Sequence, residues 1–126
     1  MDIYSENIMD HYKDPRNFGS LEDCDIEYSD SNPLCGDKIK IEIKIKDNRI
    51  HEMKYECEGC AISRASSSII SEELKGMELE KVLKLNADFV LNLLGIKLNS
   101  VRLKCALLSL RAVQKSIVKY LGEKNA

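Results

Sequence analysis

The chain of 126 residues is poor in histidine and proline, with two of each, and its net charge is only −2. It also lacks any long apolar run. Each shortage excludes something. The 19 basic and 21 acidic residues are interspersed, so no bulk electrostatic attraction points to nucleic acid or to an acidic membrane surface as a partner. No stretch approaches the roughly 20 apolar residues that a membrane-spanning helix requires. The opening "MDIYSENIMD" is acidic and has no basic-then-apolar leader layout, so a cytoplasmic location is expected. The only imidazoles, His11 and His51, lie away from the cysteines in sequence and read as structural, one on a helix and one on a strand. A metal site here would be built from sulfur and carboxylate.

Sulfur is what the chain has in quantity. Cysteine occurs at 24, 35, 57, 60 and 105. An odd count in a reducing compartment argues for metal binding or thiol chemistry over a disulfide framework. At 44% hydrophobic and 32% charged residues the balance is that of an ordinary globular chain. The length suits one domain, 1–126, with a real core.

Periodicity predicts an α+β fold. Ile3, Tyr4, Ile8 and Tyr12 recur near helical spacing, with Ser5 as N-cap and Pro15 as the stop. "CDIEYSD" is an ambiguous strand. In "KIKIEIKIK", Ile39, Ile41, Ile43 and Ile45 alternate with Lys40, Glu42, Lys44 and Lys46, which is period two, with one buried and one solvated face. "DN" at 47–48 turns the chain into a second strand, "RIHEMKYECEG". After Gly59 the period becomes helical over about 61–75, with Gly76 as the stop. Short helices are expected at Glu78–Leu85 and Ala87–Leu94, the latter ended by Gly95. A long last helix carries the stripe Leu103, Ala106, Leu110, Val113, Ile117 and Leu121, and Gly122 closes it. With strands first and helices last, the expectation is a small antiparallel sheet of about three strands with helices on one face.

Three cysteines occupy special places. Cys35 lies in "NPLCGD", where Pro33 and Gly36 shape a loop and Asp37 offers an oxygen two positions away. Cys60 sits where a strand gives way to a helix, and the unpaired amides there favour thiolate. Cys105 falls in the first turns of the last helix beside Arg102 and Lys104, whose charges also favour thiolate. Spacings of 25 and 45 residues match no simple zinc-finger pattern. Cys24 reads as a small buried hydrophobe. Cys57 makes a C-x-x-C with Cys60, compatible with a redox pair, an added ligand or a structural thiol.

The chain resembles the iron–sulfur cluster scaffold family, IscU and the N-terminal domain of NifU, with their relative SufU. The resemblance rests on "YSENIMDHYKDPRNFG", "NPLCGD", "GCAISRASSSII" and "VRLKCALLSLRAV", in that order and nearly end to end. It implies a transient [2Fe–2S] cluster or zinc held by Cys35, Asp37, Cys60 and Cys105, with iron gathered at the same site. It also implies a cysteine desulfurase as sulfur donor, apoproteins as cluster recipients, and a monomer or weak homo-oligomer. Such a protein assembles and delivers; it does not turn over a substrate of its own. In this resemblance Asp37 is the labile ligand and Cys105 the acceptor of persulfide sulfur. Where IscU has a histidine before its third cysteine, this chain has Lys104, as in SufU. The insertion that SufU carries before that cysteine is missing. The stretch Leu98-Asn99-Ser100-Val101-Arg102 lacks both prolines of IscU's chaperone-recognition motif, and Cys57 is an addition to the pattern. The alternative function is a SufU-type zinc-dependent sulfurtransferase that relays persulfide without holding iron. A dithiol oxidoreductase using Cys57 and Cys60 is the third reading.

Overall fold

The period-two isoleucine run becomes the central strand of the fold. In the computed structural model, which describes residues 6–33 and 36–124, three strands pair antiparallel in the order β1 (Ile26–Asn32), β2 (Asp37–Lys46), β3 (Arg49–Glu58). Ile43 faces Ile26 on one side and Met53 on the other, and Ile41 faces Tyr28 and Tyr55. One face is therefore continuous hydrocarbon. Ile39, Ile41, Ile43, Met53 and Tyr55 are all 2% exposed or less, and burying each such side chain is worth roughly 1.5–3 kcal/mol. The β2–β3 hairpin turns through Asp47 and Asn48, both at positive φ (54° and 61°), the two-residue geometry that matches strand twist and that Asn and Asp tolerate.

Two details depart from the alternation. Ile45 is only half-buried, because the ladder shifts register between Lys44 and Ile45. Glu42, on the expected wet face, is buried: the segment before β1 folds over it, and Leu21 donates its N–H to Glu42 Oε1 at 3.2 Å. The rest of that face is the charged surface expected, with pairs such as Lys40–Glu27 at 3.3 Å.

Five helices flank the sheet among the described residues: α1 (Glu6–Lys13), α2 (Ala61–Glu73), α3 (Leu79–Leu83), α4 (Ala87–Leu94) and α5 (Ser100–Lys124). Ser5, the expected N-cap of α1, and Ile3 and Tyr4 lie outside the described residues. Gly95 ends α4 in the left-handed conformation (φ 69°), as a helix-stopping glycine should. Gly122 does not close α5, which continues to Lys124. Its apolar stripe is also wider than expected, since Leu107, Leu108 and Ala112 are buried besides Ala106, Leu110, Val113 and Ile117. The physical reason is that α5 packs against α2, β1 and β2 at once.

Helix α2 has an unusual contact face, with Ser63, Ser66, Ser67, Ser68 and Ser71 all buried. Small side chains let a neighbouring helix come close, and each hydroxyl needs an acceptor when buried. Ser66 Oγ donates to the Ala106 carbonyl at 2.6 Å, locking α2 to α5. Ser68 Oγ lies 2.7 Å from His11 Nδ1 and accepts the Arg16 N–H at 2.8 Å, tying down α1 and the turn that follows. That turn then covers the β3 edge, with Gly19 N–H bonding the Tyr55 carbonyl at 2.8 Å. His11 is thus a packed core histidine, and burial lowers its pKa; His51 is exposed on β3. No described helix is long and apolar enough to cross a membrane.

Candidate metal centre

The end of the sheet where β2 begins meets the start of α2 and the second turn of α5. Asp37 is the first residue of β2 and, like Ile39 and Ile41, points to the helix side, but beyond the last apolar row. Its carboxylate is 2% exposed. Oδ1 accepts the backbone N–H of Cys60 at 3.2 Å, and Oδ2 accepts the hydroxyl hydrogen of Ser63. Cys60 is the N-cap of α2, and its own side chain caps nothing. A carboxylate from a distant strand therefore does the work of a cap, with its negative charge at the favourable end of the helix. Cys60 Sγ lies 3.8 Å from Asp37 Oδ2 and 3.6 Å from Ser63 Oγ.

Cys105 completes the group. One ligand atom from each of Asp37, Cys60 and Cys105 lies within 4.8 Å of the others, close enough to share one metal ion. These residues come from three elements, 23 and 45 positions apart in the chain. Two sulfurs and a carboxylate suit zinc or iron, both of which accept thiolate and oxygen ligands. Cys35, the fourth residue expected here, lies outside the described residues, two positions before Asp37.

Gly59 is part of the construction. A Cβ built on it would sit 2.7 Å from Asp37 Cγ, so any side chain there would drive the carboxylate from its place. Glycine is required for space, not for an unusual backbone angle. Gly36 serves the loop differently: at φ 74° it turns the chain into β2, with its N–H on the Asn32 carbonyl at 2.8 Å.

Several expectations change at this point. Cys105 is 4% exposed, because α5 presses that turn against the serine face of α2. Cys60 is the more accessible of the two thiols. Lys104 points to solvent. Cys57 lies on the core side of β3, opposite Ile39, and burial pushes its thiol up to about 11. It stays protonated at neutral pH, which makes Cys57 a poor attacking thiol for a dithiol oxidoreductase at Cys57-Glu58-Gly59-Cys60. The described cysteines form no disulfide. Cys24 is half-exposed instead of buried: its sulfur rests 3.9 Å from Glu42 Oε2, and with Glu27 these residues form a second thiol–carboxylate cluster on the outer sheet face. A cavity of about 610 Å³ opens on that same outer face and is lined by charged side chains such as Lys40 and Glu56; neither Cys60 nor Cys105 borders it.

Ser63 is the site residue that sequence reasoning overlooked. The available signal was its position, the third residue of α2 after the N-cap cysteine, where a polar side chain ordinarily serves the helix start.

The chain is similar to known proteins over nearly its whole length. It is 41% identical over 118 residues, 94% of the chain and 76% of the relative, to an iron–sulfur cluster assembly scaffold protein IscU of Archaeoglobus fulgidus. It is 35% identical, over 95% of the chain and 92% of the relative, to the zinc-dependent sulfurtransferase SufU of Bacillus subtilis. Among solved structures, a SufU protein assigned to the SUF system of iron–sulfur cluster assembly in Fervidobacterium islandicum AW-1 superposes with a TM-score of 0.80 at 27% identity, covering 91% of this chain and 96% of that one. The family model of the NifU-like N-terminal domain matches residues 3–126. The chain belongs to the NifU-like N-terminal domain family.

Proposed function

We propose that this protein is an iron–sulfur cluster assembly scaffold: it takes sulfur from a cysteine desulfurase, gathers iron, holds a transient [2Fe–2S] cluster and hands it to apoproteins. The observation that carries the reading is the convergence of Asp37, Cys60 and Cys105 within 4.8 Å from three separate elements. The cluster is the cargo. Its ligands are Cys60, Cys105 and Asp37, with Cys35 supplied by the adjoining loop. One oxygen among three sulfurs makes the site weaker than the all-thiolate sites that retain clusters, and weakness suits a protein that must give its cluster away. Asp37 is the ligand that leaves first. Cys105 receives the persulfide sulfur by thiolate attack on the sulfane sulfur, with the desulfurase thiol as leaving group. Its burial means that docking must open the α2–α5 contact before transfer.

A second reading, a zinc-dependent sulfurtransferase of the SufU kind, is favoured by one feature: Lys104 stands beside Cys105, and its ammonium cannot coordinate a metal. Anaerobic reconstitution with iron, cysteine and a cysteine desulfurase separates the two. A stoichiometric, labile cluster with [2Fe–2S] absorption and Mössbauer spectra supports the scaffold. Bound zinc alone, with desulfurase turnover rising as zinc is added, refutes it. In the same assay Cys105→Ser should abolish the mass increase of one sulfur on this chain; an increase persisting at Cys60 reassigns the acceptor to that thiol.

A further inference from the structure

We propose that the Ser63 hydroxyl is a switchable hydrogen-bond donor that competes with the metal for Asp37 and so sets how fast the site releases its cargo. The inference rests on Asp37 being a ligand, as argued above, and adds a residue that is not itself one.

The geometry sets two oxygen acceptors around a single proton, with the weaker Cys60 sulfur 3.6 Å away. Ser63 is 1% exposed, so its hydroxyl has no bulk water to turn to. It donates to Asp37 Oδ2, and the carbonyl oxygen of Cys105 lies 3.3 Å from the same Oγ. A hydroxyl carries one hydrogen and rotates about a single bond, so it serves one of these acceptors at a time. The two acceptors belong to two of the residues around the centre. The other carboxylate oxygen is committed elsewhere, since Oδ1 takes the Cys60 N–H at 3.2 Å and is wedged against Gly59. Oδ2 faces the Cys60 sulfur at 3.8 Å. Oδ2 is therefore the oxygen that metal and hydroxyl both want.

Two states follow. With metal bound, Oδ2 is a ligand and Ser63 turns its proton to the Cys105 carbonyl, leaving no buried donor unsatisfied. When the metal–oxygen bond loosens, Ser63 swings back, captures Oδ2 and holds the carboxylate away from re-ligation. No covalent bond is made or broken. A buried hydroxyl with only one acceptor could not do this: releasing the carboxylate to the metal would strand it, at the cost of an unmade hydrogen bond.

The role predicts a direction opposite to that of a supporting residue. Outer-shell partners that orient a ligand strengthen binding, and losing one weakens affinity about 10- to 100-fold. A competitor does the reverse. In the 126-residue chain loaded with zinc as the probe, transfer of zinc to a colorimetric chelator should be about tenfold slower in Ser63→Ala than in the wild type. Alanine is smaller and favours helix, so α2 is retained. Ser63→Thr, which keeps a hydroxyl, should restore a rate near that of the wild type. In the Asp37→Ala background, Ser63→Ala should change nothing, because the oxygen it competes for is gone. Equal or faster release from Ser63→Ala overturns the proposal, as does a tenfold effect that survives in the Asp37→Ala background. If Asp37→Ala by itself leaves release unchanged, the assignment of Asp37 as a ligand fails and the Ser63 proposal falls with it. If Asp37→Ala alters release while Ser63→Ala does not, only the Ser63 proposal fails.

Discussion

Among the described residues, two clusters bring thiol and carboxylate together, and they differ in what surrounds their sulfur. Asp37, Cys60 and Cys105 gather at the end of the sheet; Cys24, Glu27 and Glu42 gather on its outer face; in each, the ligand atoms lie within 4.8 Å of one another. The first has two sulfurs, and its carboxylate is held in place by a backbone N–H and a hydroxyl. The second has one sulfur, whose thiol is pushed up by burial and by the charges of Glu42 and Glu27, so it keeps its proton. Glu27 is further occupied by Lys40 at 3.3 Å, and Glu42 by the Leu21 N–H. Proximity alone does not make a metal centre. What separates the two is the number of sulfurs and the neighbours of each: hydrogen-bond donors around Asp37, carboxylates around Cys24.

The thiols should differ most between the two clusters. Cys60→Ser should weaken zinc binding by more than about 100-fold, beyond what loss of an outer-shell contact costs, whereas Cys24→Ser should leave it within about twofold. Competition with a chromogenic chelator measures both. Comparable losses would mean that the outer cluster also binds metal.

A smaller effect, in the range of about 10- to 100-fold, is expected from Gly59→Ala. It removes no ligand, but its methyl takes the space of the Asp37 carboxylate. The variant should stay folded by circular dichroism and lose zinc affinity. Unaltered affinity would show that Asp37 is not held where the site needs it.

The mildest effect sharpens a second contrast, between Cys57 and Cys60, three residues apart. At pH 8 iodoacetamide should label Cys60 in the metal-free protein and leave Cys57 essentially untouched, as peptide mass mapping will show. The same burial makes a stability prediction. An unfolded thiol ionises near 9.0 and the folded Cys57 near 11, so between these values the unfolded chain has lost a proton that the folded chain still holds. Stability conferred by the neutral buried thiol is intact below pH 9 and declines as pH rises toward 11. Cys57→Ala should flatten that decline in denaturant titrations; an unchanged slope would assign it to other groups.

Much of the fold was legible because its signals are local. The Ile39–Ile43 alternation, the Asp47-Asn48 turn and the Gly95 stop each specify an element within a few residues. The widened face of α5 and the burial of Glu42 were not legible, because both are set by what packs on top: α2 with its serines in one case, the 21–24 segment in the other. For the site, the motif resemblance singled out Asp37, Cys60 and Cys105, yet spacing alone gave no reason for 23- and 45-residue intervals to close. Ser63 and the steric need for Gly59 escaped notice because they act through contact with Asp37, a residue more than 20 positions away. The burial of Cys105 escaped for a similar reason: flanking charges suggest an accessible thiolate, and only helix packing reveals that the sulfur faces inward.

With Cys35 joining Asp37, Cys60 and Cys105, one oxygen and three sulfurs would meet at one metal. Zinc K-edge X-ray absorption on the zinc-loaded chain reads out that ligand set. The expected spectrum shows a shell of three sulfurs at about 2.3 Å and one oxygen at about 2.0 Å. A shell of nitrogen and oxygen alone, or a fourth sulfur in place of the oxygen, would contradict it.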